Sequence, residues 1–284
     1  MSNLEQSKAI RLDQKVIELM PALSRGFASK LIEDGKVSVN SQIITKPGQK
    51  LRKLDEVVVD YDLSELDNIP TIEIPIIYED DDCVVINKPV GLLTHSKGVF
   101  NPEATVATWL SSRYNGEPSE RAGIVHRLDR ATSGVMICAK NQAASSWLQK
   151  QFSKRNVKKT YTAIITGLPD PLEAIIDMPI ERNPKMPARF RASTSGKPAI
   201  THYKVAESNE TYARLELKPE TGRTHQLRVH LAQIGWPIVG DTFYDGQPAD
   251  RLYLHAHELE ITLPSRRRAT FTAPIPPSFS QKMR

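Results

Sequence analysis

The residues from His126 to Gly134, His-Arg-Leu-Asp-Arg-Ala-Thr-Ser-Gly, bring an imidazole, two guanidinium groups, a carboxylate and two hydroxyls into one short stretch. Asp129 lies between Arg127 and Arg130, and flanking cations favour an ionised carboxylate. A carboxylate that is ionised and held still is a nucleophile or a general base. The same pattern can also be a satisfied loop that only fastens two elements together. Thr132 and Ser133, with His126 and Asp129, supply the residue types of a serine hydrolase. No Gly-x-Ser-x-Gly elbow is present, though, and Ser133 follows Asp129 within one turn, so hydrolysis is disfavoured. Apolar sequence anchors the stretch: Ile124-Val125 precedes it, and Gly134 to Ala139 reads as a buried strand.

Other residues with chemical potential lie far away in sequence. Arg228, in Gln226-Leu227-Arg228, can pair with a carboxylate or contact a phosphate. Tyr161 falls on a predicted strand with Ala163 and Ile165 on the same face, a core pattern, and Leu254 in Tyr253-Leu254-His255-Ala256 reads equally well as core. Of the seven histidines, His225 and His230 are five apart, off the one-face helical register, and His255 and His257 lack a supporting Cys or carboxylate cluster. Gly98, Gly116 and Gly123 form no phosphate-cradling loop. No metal and no cofactor is expected. The two cysteines, Cys83 and Cys138, sit in apolar strand-like runs, which disfavours a disulfide.

With 284 residues, 39% hydrophobic and 25% charged, the composition is that of a globular protein of one large or two ordinary domains. No apolar run is long enough to span a membrane, and the start, Met1 to Gln6, lacks the regions of a signal peptide, so no membrane association and a cytoplasmic location are expected. The net charge of +5 permits a polyanionic partner. Basic residues cluster at Lys150, Lys154, Arg155, Lys158 and Lys159, at Arg182, Lys185, Arg189 and Arg191, and at Arg266 to Arg268. Their distribution suggests a rim that tracks phosphates, with Lys154, Arg155 and Arg189 as RNA contacts.

The order of elements predicts two bodies. A helix near Leu12 to Met20 is stopped by Pro21, and a second, capped by Ser24, presents Phe27, Leu31 and Ile32 on one face and ends at Gly35. Arg25 and Lys30 project from it as candidate RNA contacts. A hairpin around Asn40-Ser41, basic residues at Lys46, Lys50, Arg52 and Lys53, and a strand at Val57 to Val59 follow. Between Glu65 and Asp82 there are seven acidic residues and no Lys or Arg, a linker composition that marks the break between domains. Beyond it, helices at Thr105 to Tyr114 and Gln142 to Phe152, the latter capped by Asn141, alternate with strands at Val157 to Ile165, Ala199 to Val205, Tyr212 to Leu217 and Glu258 to Leu263. The expected class is α+β, a mixed and largely antiparallel sheet with flanking helices.

His126-Arg127-Leu128-Asp129 followed by Thr132-Ser133-Gly134 resembles the signature of the RluA family of pseudouridine synthases. Cys83 to Leu92, Lys159-Thr160-Tyr161 and Thr221 to Leu231 with Pro237 to Asp241 resemble its other motifs, in the same order. The N-terminal body resembles the S4-like RNA-binding module. The resemblance implies the pseudouridine synthase fold, a bent sheet with a central cleft. It also implies catalytic roles for Asp129, for Arg228 as its partner through a bidentate guanidinium, and for Tyr161 stacked on a flipped base. Arg127 and Leu254 would contact the substrate, with Arg127 filling the hole left by the extruded nucleotide, and His126 would contact a substrate phosphate or brace the loop. The expected arrangement is an S4-like domain at 1–62, an acidic linker at 63–75 and a catalytic domain at 76–284. The expected protein is a monomeric RNA pseudouridine synthase without cofactors. Large-subunit ribosomal RNA is its expected substrate; transfer RNA, or a non-catalytic role in ribosome assembly, is the alternative.

Overall fold

The computed structural model describes residues 10–21, 23, 25–62, 70–95, 103–114 and 123–284. The chain divides into two compact units, residues 1–72 with 95–105, and 73–94 with 106–284.

In the first unit, α1 (Leu12–Leu19) and α2 (Arg25–Glu33) pack Leu12, Val16, Ala28, Leu31 and Ile32 against Val37 and Val39. Phe27, expected on the apolar face, is only partly buried. The Ser24 cap lies outside the described residues. After α2, Gly35 takes φ +74°, a left-handed conformation that closes a helix at no Cβ cost. Strands β1 (Val37–Val39), β2 (Gln42–Ile43) and β3 (Val57–Val59) form an antiparallel sheet in the order β2-β1-β3. Asn40 and Ser41 both have positive φ, the geometry of a two-residue hairpin turn that matches strand twist. Asp13 is buried and takes Arg11 Nε at 2.9 Å and Arg25 Nε at 3.0 Å.

The second unit is built on one nine-stranded sheet. Its elements are, in chain order, β4 (Ile76–Glu79), β5 (Cys83–Lys88), α3 (Val106–Tyr114), β6 (Ser133–Ala139), α4 (Gln142–Ser153), β7 (Lys158–Thr166), β8 (Glu173–Asp177), β9 (Ile180–Arg182), β10 (Phe190–Ala192), β11 (Ile200–Ser208), β12 (Tyr212–Pro219), α5 (Gln226–Gln233), β13 (Leu254–Thr262), β14 (Arg268–Thr272) and α6 (Pro277–Lys282). The strand order is β4-β5-β6-β13-β7-β12-β11-β8, with β14 also on β13, while β9 and β10 pair as a separate ribbon. Every pairing is antiparallel except that of β6 with β13. This is the mixed, largely antiparallel α+β architecture. As expected, Asn141 caps α4, its side chain accepting from Ala144 N at 2.8 Å.

The acidic stretch is not linker throughout. Glu79 ends β4 and pairs with Lys140 at 3.0 Å, and Asp80 closes the β4–β5 turn by accepting from Asp82 N and Cys83 N. Asp80 and Glu79 therefore belong to the sheet because strand ends and turns need acceptors for backbone N–H groups and partners for lysines.

The central junction is β6 against β13, where Gly134 faces Ala256. Gly134 has φ +119°, and a Cβ there would lie 2.1 Å from the Ala256 carbonyl oxygen. Glycine at this position lets two buried strands approach just after the Asp129 loop.

Candidate active site

The loop that carries Asp129 is fixed by polar groups buried beneath it. Thr94 Oγ1 donates to Leu128 O at 2.8 Å and accepts from Leu128 N at 3.2 Å. Lys88, fully buried at the end of β5, donates Nζ to Leu92 O at 2.8 Å, Pro89 O at 3.0 Å and Arg130 O at 3.4 Å. One ammonium thus ties the β5 turn to the loop. Burial pulls its pKa down to about 8, and the charge of Asp129 partly opposes the fall. Gly91 N also donates to Arg130 O, and Thr132 N to Asp129 O.

Asp129 opens into a cavity together with Arg127, Tyr161, His225, Arg228 and Leu254. These groups come from the loop, from β7, from the start of α5 and from the first residue of β13. Of the three residues expected to be catalytic, all line the same space. Arg228 Nη1 lies 3.6 Å from Asp129 Oδ2. The rest of its guanidinium is engaged elsewhere: Nε reaches Asp241 Oδ2 at 2.7 Å and Nη2 reaches Oδ1 at 2.8 Å. The expectation of a bidentate Arg228–Asp129 pair is therefore corrected. The two-pronged bond belongs to buried Asp241, which aims a single edge of the guanidinium at Asp129. Burial opposes the Arg228 charge, but Asp241 and then Asp129 outweigh it and raise its pKa.

Tyr161 on β7 sits opposite Ala256 of β13 and Leu217 of β12. Burial, and then the Asp129 charge, push its phenol above the ordinary range, so the hydroxyl stays protonated. Leu254 is buried at the cavity wall. Lys159 also lines the space, donating to Thr221 O at 3.1 Å, and burial pulls its pKa down to about 8.

His126 does not line the cavity among the described residues. Its ring stacks on Phe152 with centroids 4.4 Å apart, and its Nε2 accepts from Ile137 N at 3.1 Å. Burial, helped by Lys159, takes its pKa down to about 3, so the ring is a neutral brace joining the loop to β6. Ser133 is buried, accepts from Arg251 Nη2 at 2.6 Å and meets His255 Nδ1 at 2.9 Å.

The expected RNA contacts divide. Lys30, Lys154 and Arg155 are exposed. Arg189 is half-buried with its guanidinium 5.1 Å from the Phe243 ring centre, at the edge of the site. Arg25, expected to project freely, spends its Nε on Asp13, because a buried carboxylate draws in the nearest cation. Other members of the basic clusters are also matched by acids: Arg191 by Glu181, Lys158 and Arg268 by Glu260.

Two residues at the site have no such role on sequence grounds. Asp241 is legible there only as the end of a motif. His225 stands out solely as a possible metal ligand with His230, yet His230 is buried between Thr201 Oγ1 and Met178 O while His225 faces Asp129 with Nε2 at 3.8 Å.

Comparison with known proteins agrees with this geometry. A family model described as RNA pseudouridylate synthase matches residues 82–233, and an S4 domain model matches residues 10–57. The chain is 37% identical over 286 aligned residues to the ribosomal large subunit pseudouridine synthase D of Vibrio parahaemolyticus, covering 94% of this chain and 87% of the relative. The protein of the same name from Escherichia coli K12 gives the same identity and coverage. Among solved structures, human RNA pseudouridylate synthase domain containing 1 is similar with a TM-score of 0.61 and 29% identity, over 71% of this chain and 83% of that one. Human RNA pseudouridylate synthase domain containing 4 is similar with a TM-score of 0.60 and 28% identity, over 72% and 90%. The cavity that gathers Asp129, Tyr161 and Arg228, and a family match spanning more than half the sequence, lead to one conclusion: the chain belongs to the RNA pseudouridylate synthases.

Proposed function

We propose that this isomerase, which converts uridine to pseudouridine, acts on large-subunit ribosomal RNA, and that Asp129 is its nucleophile or base. The observation that supports the site reading is the shared cavity of Asp129, Tyr161, Arg228 and Leu254. The substrate reading rests on relatives named for the ribosomal large subunit that align over 94% of the chain. We also propose the domain limits 1–62, 63–75 and 76–284, a monomeric state and a cytoplasmic location. Among the described residues, no helix is long and apolar enough to cross a membrane.

The chemistry breaks the bond from ribose C1′ to uracil N1 and makes one from C1′ to C5. The C5 proton leaves and N1 gains one, so the balance needs no redox partner. The nucleotide must leave its stack to reach Asp129, and the side chains already described suit such an extruded base. Arg228 orients the carboxylate. Tyr161 offers a ring face for the everted base, and Leu254 supplies an apolar wall. Arg127, exposed at the mouth, is free of the Asp241 pairing that occupies Arg228 and can stack in the vacated position.

Pseudouridine mapping across total RNA from cells lacking the protein tests the substrate. Loss of one or more large-subunit sites is expected; loss confined to transfer RNA sinks the ribosomal assignment, and an unchanged map sinks both.

The S4 unit makes a separate prediction. Arg25→Ala with Lys30→Ala is expected to weaken RNA binding and to flatten the log affinity against log salt slope by about 1 to 2. Because Arg25 also pairs with Asp13, thermal melting of the variant is measured alongside. Unaltered affinity and slope in a variant with native melting would return α2 to a purely structural role.

A further inference from the structure

The cavity contains a hydrogen-bond donor whose state is dictated by its neighbours. His225 precedes α5 in a left-handed conformation, φ 57° and ψ 19°. A non-glycine residue in that region is uncommon and is held there by its surroundings. Its ring lies edge-on to Phe190, Phe243 and Tyr244, with centroids 5.7, 5.9 and 5.6 Å away. Nδ1 is 2.7 Å from Tyr244 Oη. That oxygen already accepts from Phe190 N at 3.0 Å, and the nearby Arg228 guanidinium has nothing with which to accept a proton. Among the described residues His225 Nδ1 is the one acceptor in reach of the tyrosine proton, so we assign that proton to the bond with Nδ1 and the imidazole proton to Nε2.

Nε2 faces the cavity. It lies 3.8 Å from Asp129 Oδ2, too long for a hydrogen bond, and among the described residues no acceptor lies within bonding distance of it. The side chain is 16% exposed. A polarised N–H beside the reacting carboxylate and without a protein acceptor is placed to serve the substrate. The charged and titratable groups that face it are Arg127 and Asp129 from the loop, Arg228 from α5, and Asp241 and Tyr244 from the segment before β13; β10 contributes Phe190, with Arg189 over Phe243.

We propose that His225 is a further catalytic residue, donating from Nε2 to the uracil oxygen on which negative charge builds as the base reacts. Whichever atom Asp129 attacks, the electron pair displaced from the glycosidic bond or the ring double bond spreads onto a uracil carbonyl. A neutral imidazole suits that role because it donates without pinning Asp129 in an ion pair. Burial lowers the His225 pKa, outweighing the opposite pull of Asp129, and keeps the ring in that neutral form. Tyr244, its phenol raised by burial, does not give up its proton to become an anion. The pair is a fixed donor and not a proton shuttle.

The proposal rests on Asp129 being the reacting carboxylate. It is tested with the full-length protein at saturating concentration on large-subunit ribosomal RNA labelled with 5-tritiated uridine. Release of tritium gives the single-turnover rate, and RNA affinity and melting temperature are measured in parallel. His225→Ala is expected to lower the rate about 100-fold with RNA affinity unchanged. His225→Gln, which restores a donor, is expected to recover about tenfold of that loss. Tyr244→Phe frees Nδ1 to take a proton, so the acid limb of the pH–rate profile moves upward toward the ordinary imidazole value of about 6.5, whereas the same change made together with His225→Gln produces no such move. A structural role moves none of these limbs. A rate within threefold of native for His225→Ala, or an unshifted acid limb in Tyr244→Phe, overturns the proposal. An active Asp129→Asn control instead overturns the reading of Asp129.

Discussion

Asp129→Asn is expected to reduce pseudouridine formation by about 10⁴-fold or more while RNA affinity stays the same or rises slightly. The substitution keeps the shape of the side chain and removes only its charge and basicity. Loss of a residue that bonds to or deprotonates the substrate costs catalysis on that scale, since positioning and electrostatics alone leave little turnover. Affinity should not suffer, because the carboxylate contributes negative charge to a cavity whose other walls include Arg127, Lys159, Arg223 and Arg228, and it faces an anionic ligand. The folded state also tolerates the change, since the loop is held through main-chain groups by Thr94 and Lys88 and not through the Asp129 side chain. Tritium release and filter binding on one preparation separate the two effects. An Asn variant that turns over at the native rate removes Asp129 from the mechanism.

Asp241→Ala is the substitution with the largest expected cost to the fold. Arg228 is 8% exposed, and Asp241 is its only bidentate partner among the described residues. Removing one member of a buried ion pair leaves the other charge desolvated, a loss of about 3–5 kcal/mol. The remaining anion, Asp129, is 3.6 Å from Nη1, so Arg228 is expected to turn toward it and pin it, slowing catalysis as well. Chemical denaturation reads the first effect and single-turnover rates the second. Arg228→Met combined with Asp241→Ala should recover a substantial part of the lost stability, because no buried charge is then left without a partner. If the single variant loses less than about 1 kcal/mol, or the two changes are merely additive, the buried pair is not what holds the guanidinium in place.

His126 shows how little a motif says about the direction of its members. Bracing of the loop and contact with the substrate were both open to it from the sequence. In the folded chain His126 and Asp129 part ways: Asp129 opens to the cavity, and the imidazole turns back to receive an N–H from β6. Sequence names the residues of a turn without their directions. Arg25 gives a similar lesson, since its partner Asp13 lies on the preceding helix and its burial was not visible from the charge pattern.

By itself, the sequence determined the chemical inventory, the loop that carries Asp129, the N-terminal helices and hairpin, the capped α4 and the strands of alternating pattern. These are local matters of period, cap and turn. It did not disclose α5, in which Gln226 to Leu231 are all buried, because a helix enclosed on every side has no polar stripe to announce it. Nor did it reveal that β13 begins at Leu254, since Leu254, His255 and Ala256 are buried on both faces and do not alternate. The short β9 and β10, three residues each, fall below any periodic signal. Only the tertiary structure decided which acid takes the Arg228 fork and that His225 Nδ1 meets the Tyr244 hydroxyl. Both depend on groups that chain folding brings within 3 Å from separate elements, and no spacing along the sequence encodes such a meeting.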